Sequence, residues 1–349
     1  MKSKIKIVCL PKELNNPNPY QNLLINGLKK NPGLEVISGN ASKKIGILTS
    51  ALYHKPHYIH FDWINKYYSK RFSLESYIYT LWFFIQIFII KKILKINIVW
   101  TLHNIFPHDT KNIKLHRFVQ YQFSKQCKWI RVFSNNTVNK LIHEFNFNKN
   151  KLIVVPEGSY VNYYPNFISK EEARKELNIQ KKEKIFLYFG AIKPYKGLDF
   201  LIEEISNSKH HKIKLIIVGR TPKKRYLNKI KEKIKNNDSI TLENKYIKDE
   251  QIQIYFKAAD IIVLPFENIE NSGSIILAMG FKKVIIAPNI GVIPDRLNNQ
   301  KKFLYSENII EKFELALKTS DKEIEILGNK NFEELKKYTW KDFGKYFTK

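Results

Sequence analysis

The sequence predicts an α/β protein made of two similarly built domains, each a parallel sheet with helices on both faces. Three observations predict it. Short apolar, β-branched runs alternate with amphipathic runs along the chain, a pattern that calls for crossover helices between parallel strands. At 349 residues the chain is longer than one hydrophobic core normally serves. A tract rich in aromatic and turn residues, 158–169, interrupts the alternation near its middle, so the two domains are expected to join near residue 160.

In the first half, IKIVCL (5–10) and LEVISG (34–39) flank a helical stretch near 20–30. PHYIHFDW (56–63) precedes an aromatic run, Tyr77 to Ile90, followed by Lys91, Lys92 and Lys95. That run is shorter than the roughly 18–20 apolar residues of a spanning helix. It reads either as a buried helix or as an interfacial one laying Trp82, Phe83, Phe84 and Phe88 into a bilayer, with the lysines at the headgroups. The two are compatible. NIVWTLHN (97–104) leads to a helix near 115–125, WIRVFS (129–134) leads to TVNKLIHEF, and KLIVVPEG (151–158) closes the series.

In the second half, Ser169 and Glu172 form a capping-box pattern ahead of EEARKELN. KIFLYFGA (184–191), a helix from Gly197 and IKLIIVGR (213–220) follow. Then come the basic helix KKRYLNKIKEKIKNN, SITLENKYI, the helix DEQIQIYFKAAD and the strands IIVLPF (261–266) and VIIAPN (284–289). FELALKT and the closing EIEILGNKNFEELKKYTWKDFGKYF read as helical.

Composition narrows the classes. Hydrophobic content of 44% and aromatic content of 13% exclude a disordered or fibrous chain. The net charge of +28, from 60 Lys+Arg against 32 Asp+Glu, favours anionic partners: nucleic acid, acidic headgroups or phosphorylated ligands. A composition heavy in Lys, Asn and Ile accounts for the same excess with no partner at all. Cys9 and Cys127 have neither disulfide-framework nor zinc spacing, which fits a reducing compartment. The opening MKSKIKIVCLPKEL reads as a first strand rather than a signal peptide. No DxD, Walker, GxSxG or HExxH pattern occurs. A metal-dependent diphosphate site of the DxD kind is therefore not expected, and protein cations must take the metal's place.

Two strand-to-helix turns carry the chemistry. In FGAIKPYKGL, Gly190 ends a strand, and Lys193 and Lys196 stand three apart with Pro194 stiffening the turn. Two ammonium groups there suit a diphosphate and its departure as a leaving group. IIVGR ends the next strand with Gly219 and Arg220. In LPFENIENSGSIILAMG, Asn271, Ser272, Gly273 and Ser274 open a helix whose free amides and hydroxyls suit phosphate oxygens, and Glu267 and Glu270 suit sugar or ribose hydroxyls. The plainer readings are solvated lysines in a lysine-rich chain and an ordinary serine-capped turn. In the first half, WTLHNIFPHD places His103, His108 and Asp109 after a strand, and NPNPY places Asn16 to Tyr20 after the first strand. His108 or Asp109 would be the base on an acceptor hydroxyl if the reaction inverts. As plainer readings, His103 is a satisfied core histidine and Asp109 a helix cap.

The order FGxIxPYKG, IVG, YFKAADIIVLPF, NSGS…AMGF…VIIAPNIG resembles the donor half of GT-B glycosyltransferases, and within them the family 4 type of bacterial surface polysaccharide assembly. YTWKDFGKYF resembles that fold's closing helix. The resemblance is most specific over 184–291 and at fold level over 4–158. It implies two Rossmann-like domains facing each other across a cleft: residues 1–160, completed by about 335–349, and 161–334. It implies a sugar- or acceptor-contacting role for His103, and it leaves Tyr20 and His108 on the acceptor side. The chain departs from the family's pair of glutamates eight apart, which fall on Ile269 and Leu277, with Glu270 or Glu267 as stand-ins for the first. Ala191 replaces the usual arginine, with Lys193 supplying the charge, and Glu157 replaces the usual Asn or His before the hinge glycine.

The expected function is metal-independent transfer of a sugar from a UDP- or GDP-linked donor to a polyprenyl-diphosphate-linked saccharide, at the inner face of a bacterial membrane with an anionic surface. No cofactor and no nucleic acid are expected. The rival readings are a nucleotide-sugar epimerase of the same fold, a basic nucleic-acid binder and a silent partner subunit.

Overall fold

The structure, a computed structural model, describes residues 3–12, 18–70, 72–106, 112–180, 183–208 and 213–348. It holds two six-stranded sheets, both parallel throughout. The first contains β1 (Ile5–Leu10), β2 (Leu34–Ser38), β3 (Tyr58–Phe61), β4 (Asn97–Thr101), β5 (Trp129–Val132) and β6 (Leu152–Val154), in the order β2-β1-β3-β4-β5-β6. The second contains β7 (Ile185–Phe189), β8 (Lys214–Gly219), β9 (Ile240–Asn244), β10 (Ile261–Val263), β11 (Val284–Pro288) and β12 (Leu304–Tyr305), in the order β12-β11-β10-β7-β8-β9.

Helices cover both faces of such sheets, so their strands are apolar at every position rather than at alternate ones. β1 shows this at residue level. Val8 and Leu10 enter one core with Ile59, Phe61 and Trp100. Ile7 and Cys9 point the other way, into a second core with Leu24, Tyr58 and Val99. In the second sheet, Tyr188, Ile217, Val263 and Ile286 share one core beneath Leu198 and Ile202.

The chain divides into two compact units, Met1–Gly158 with Tyr338–Lys349, and Ser159–Lys337. The last residues therefore belong with the first ones. Phe343 and Phe347 lie in the β1 core beside Ile7 and Cys9. Trp340 seats on Gly27, where a Cβ would stand 2.1 Å from the Trp340 Cβ. The closing segment is not one helix. It is helical from Asp321 to Lys336, then turns, and Asp342–Tyr346 form a separate 3₁₀ turn. Thr339 N–H and Oγ1–H both donate to Asp342 Oδ2, at 3.1 and 2.8 Å, which starts the new turn.

The capping box is present, with Ser169 Oγ accepting from Glu172 N and Glu172 closing back on Ser169 N. Elements that go beyond the sequence reading include a helix at Gly46–His54, the short helices Asn65–Tyr68 and Ile293–Arg296, and the two-residue β12. The aromatic helix is longer than its apolar run, spanning Ser73–Phe88 and continuing as a π-helical turn through Ile93.

Candidate active site

In the second unit the chain runs β7, β8, β9 in one direction and then returns to place β10 on the other side of β7. Between β7 and β10 the order reverses, and in open parallel sheets ligands bind at the carboxyl ends of the strands flanking that reversal. The turns after β7 and β10 are the two that carry Lys193, Lys196 and Ser272.

Backbone contact locks the β7 and β8 turns together. Gly190 N–H donates to Val218 O at 3.0 Å and Ile192 N–H to Arg220 O at 3.1 Å. Gly190 has φ +143°, and a Cβ on Gly219 would lie 1.7 Å from the Gly190 carbonyl oxygen. Neither position admits a side chain without moving the backbone. The space this leaves is lined by polar groups: a Cβ built on Gly190 would stand 3.5 Å from Ser274 Oγ and 3.8 Å from Lys196 Nζ. Lys196 Nζ also lies 5.4 Å from the Phe266 ring centroid, and Lys193 Nζ 5.7 Å from that of Tyr195.

Among the described residues no carboxylate pairs with Lys193 or Lys196. Burial and then the neighbouring Lys193 charge pull the Lys196 pKa down to about 8. A half-buried ammonium beside a second cation and without an anion is poised to gain from an anionic ligand. The third contribution is the helix Gly273–Gly280. Buried Ser272 caps it, its Oγ accepting from Ile275 N at 3.4 Å, and its first-turn amides have no partner within the helix. The two glutamates diverge. Glu267 is exposed and lies near enough to Tyr226 for its charge to raise that phenol's pKa. Glu270 is buried, with its Cα beside Gly291. Asn271 is half-buried, while Arg220 is exposed and joins the cluster through its carbonyl.

The first unit has its own reversal, between β1 and β3, and at the end of β3 stands Asp62, only 1% exposed. His103, just past β4, places Nε2 3.0 Å from Asp62 Oδ1, and the Tyr20 hydroxyl donates to the same oxygen at 3.1 Å. The His103 ring stacks on Trp63, with centroids 4.5 Å apart and planes at 18°, and meets Tyr20 edge-on. Burial opposes the Asp62 charge, but His60, His103 and Tyr20 more than offset it and hold the carboxyl below its ordinary value. Burial also drives the His60 pKa down to about 4. His60 is therefore neutral at pH 7, and the hydrogen bonds from His103 and Tyr20 hold the charge. Arg131, 1% exposed, donates to Val155 O and Pro156 O, and through Nη1 to the Tyr20 hydroxyl at 3.4 Å.

The structure thus brings Gly190, Gly219, Lys196 and Ser274 together in one unit, with Lys193, Ser272 and Gly273 in the same turns, and His103 with Tyr20 in the other. His108, Asp109 and Asn16 lie outside the described residues.

The family described as "Glycosyl transferases group 1" matches residues 169–332, the stretch that holds the turns after β7 and β10. That matched stretch makes up most of the second unit, which is therefore the part of the chain similar to group 1 glycosyltransferases. A curated relative, the GDP-mannose:glycolipid 4-beta-D-mannosyltransferase of Xanthomonas campestris pv. campestris, is 23% identical over 213 residues, or 60% of this chain and 55% of the relative. The chain spans about half the length of the curated relatives it matches. Among solved structures, Anabaena Alr3699/HepE in complex with UDP-glucose superposes with a TM-score of 0.73 at 12% identity, covering 98% of each chain. Sucrose-phosphate synthase from Thermosynechococcus elongatus gives 0.74 at 14% identity, covering 99% of this chain and 98% of that one. These likenesses give the whole chain the GT-B fold, with a Rossmann-like unit on each side of Gly158.

The residues that sequence reasoning missed are Asp62, Trp63 and Arg131 in the first unit and Tyr160 in the second. The Tyr160 hydroxyl would lie 3.0 Å from a Cβ on Gly273, at the helix tip. Asp62 had a faint signal: in YIHFDW an acid directly follows a short, mostly apolar strand, though the sequence does not say which groups hold its charge. Arg131, inside the strand WIRV, had the same kind of signal.

Proposed function

We propose that the protein is a metal-independent glycosyltransferase that moves a sugar from a nucleotide-diphosphate donor, UDP- or GDP-linked, to a hydroxyl of a lipid-linked saccharide. It works at the inner face of the membrane, in surface polysaccharide assembly. The observation that carries this reading is the Lys196 ammonium, without a carboxylate partner, beside Ser274 at the reversal point of the unit similar to group 1 glycosyltransferases. The activity for which the Xanthomonas relative is named, transfer from GDP-mannose to a glycolipid, supports the donor and acceptor classes.

In the reaction the acceptor oxygen bonds to the anomeric carbon as the bond from that carbon to the diphosphate oxygen breaks. The departing nucleoside diphosphate takes the electron pair. Lys193, Lys196 and the amides behind Ser272 stabilise the charge that develops there, the task a divalent metal performs elsewhere. Glu270 or Glu267 accepts hydrogen bonds from ribose or sugar hydroxyls, and His103 contacts the acceptor or sugar. The acceptor proton passes to the leaving phosphate if configuration is retained, or to His108 or Asp109 if it inverts.

The test is a thermal-shift screen of the full chain with UDP, GDP, ADP and dTDP. One nucleotide is expected to raise the melting temperature by mass action, and Lys196→Ala to remove the shift. No shift with any of the four, or one that persists in the variant, would sink the proposal.

A further inference from the structure

The aromatic helix packs with its polarity reversed. Its inward face carries Ser76, Thr80 and Gln86, all buried, alongside Phe83, Ile87 and Ile90. Thr80 and Ser76 satisfy their hydroxyls on backbone carbonyls one turn back. The outward stripe is Leu74, Ile78, Leu81, Ile85 and Phe88, spaced four, three, four and three residues apart, a single helical face. Each of these is exposed, Leu74 by 73% and Leu81 by 65%. Of the aromatics expected to meet a bilayer, only Phe88 is exposed. Phe83 is entirely buried against Phe61, Tyr67 and Phe123, and Trp82 is tied back through Nε1–H to Lys44 O at 2.5 Å.

The face widens on both sides. The helix Gly46–His54 packs beside the Ile89–Ile93 turn and exposes Leu52 and Tyr53, the latter by 84%. Phe118, also exposed, meets Phe84 at 6.4 Å. A contiguous apolar surface of this kind marks a binding face.

Charge selects the occupant. Between residues 36 and 143 the sequence carries sixteen Lys and Arg against three Asp and Glu. Of those acids Asp62 is buried, Asp109 lies outside the described residues and Glu75 alone is seen exposed. Lys92 and Lys95 continue the helix end on which Phe88 stands, and Lys44 sits at the Trp82 tie. A second copy docking here by twofold symmetry would set these cations against themselves. An anionic lipid surface accepts both the apolar stripe and the lysines.

Among the described residues Ser73–Ile93 is also the one helix long and apolar enough to cross a membrane. Crossing would strip Phe83, Ile87 and Ile90 from the first-unit core, so the helix lies flat. We infer that the first unit docks on anionic bilayers through the Leu74–Phe88 face, half-sunk in the headgroup region. This deepens the proposed function, whose lipid-linked acceptor resides there, but its evidence and its test are independent of donor chemistry.

The test is co-sedimentation of the full chain with vesicles of phosphatidylcholine alone and of phosphatidylcholine mixed with phosphatidylglycerol. Binding is expected to the mixed vesicles, to weaken with added salt and to be slight on phosphatidylcholine. Ile78→Gln/Leu81→Gln/Ile85→Gln alters only exposed positions. It is expected to keep the wild-type melting temperature and to bind at least about tenfold more weakly. Lys92→Glu and Lys95→Glu are each expected to weaken binding by roughly fivefold or more. The inference is overturned if the wild type stays in the supernatant at low salt, or if the triple variant still sediments as well. It is equally overturned if the triple variant instead abolishes self-association of a chain that ignores vesicles. If vesicles bind as expected but no nucleotide shifts the melting temperature, the transferase reading fails and this one stands.

Discussion

In the proposed function, Lys196 would couple donor binding to pH. Its pKa of about 8 in the free protein rises when a diphosphate arrives, because an opposite charge favours the ammonium. Below pH 8 the group is charged in both states and affinity is flat. Above it, each binding event takes up a proton, and affinity for the responding nucleotide falls by up to tenfold per pH unit. Titration calorimetry in two buffers of different ionisation enthalpy, at pH 7 and pH 9, would show proton uptake only at the higher pH. Uptake that is equal at both would refute the assignment.

His60 works in the opposite direction, on stability. Its ordinary pKa of 6.5 drops to about 4 in the fold, so the unfolded chain protonates first as pH falls. The stability this group contributes is complete above pH 6.5 and is lost between there and pH 4, at a cost of about 3 kcal/mol. His60→Gln keeps a donor for Thr101 Oγ1, which His60 Nε2 meets at 2.8 Å. It is expected to flatten the melting temperature between pH 6.5 and 4 relative to wild type. Asp62→Asn is expected to leave the nucleotide-induced shift intact, since that belongs to the other unit. Transfer, with His103 no longer held by a carboxylate, is expected to slow by about a hundredfold.

The lysines and serines of the second unit were legible in sequence because their spacing alone puts them on strand-to-helix turns. Asp62 was not, because its meaning depends on Tyr20 and His103, 42 and 41 residues away.

Among elements, the helix Gly273–Gly280 carries its Ser272 cap at the turn to which the proposed function assigns phosphate oxygens. Ser272→Ala removes the acceptor for Ile275 N–H and is expected to cost about 1 kcal/mol, read as a lower denaturant midpoint. The parallel strands were legible because two buried faces demand unbroken apolar runs. β12, at two residues, has too short a run to show any period. The Gly46–His54 helix is apolar and β-branched, and its exposed Leu52 and Tyr53 break the amphipathic pattern that would have revealed it. The same breakdown hid the outward face of Ser73–Phe88. In a run apolar nearly throughout, hydropathy does not say which side faces the core, and buried Ser76, Thr80 and Gln86 invert the usual rule.

At the scale of the molecule, the first unit is compact in space but built from two separate stretches of sequence. Removing residues 338–349 takes Phe343 and Phe347, each 1% exposed, from the core built on β1. At roughly 1.5–3 kcal/mol for each buried side chain, that is a large part of a domain's net stability. The truncated chain is expected to lose the first unit's cooperative melting transition while the second unit keeps its own, as resolved by calorimetry. A single unchanged transition would refute this.

The closing residues also impose an order on synthesis. A ribosome delivers β1 through β6 first, yet the sheet face covered in part by the Tyr20–Lys29 helix lacks Phe343 and Phe347 until residues 338–349 emerge, by which time the later unit has had the chance to fold. The nascent amino-terminal half therefore spends most of translation with unshielded greasy surface, when chaperones hold the greatest advantage over misassembly.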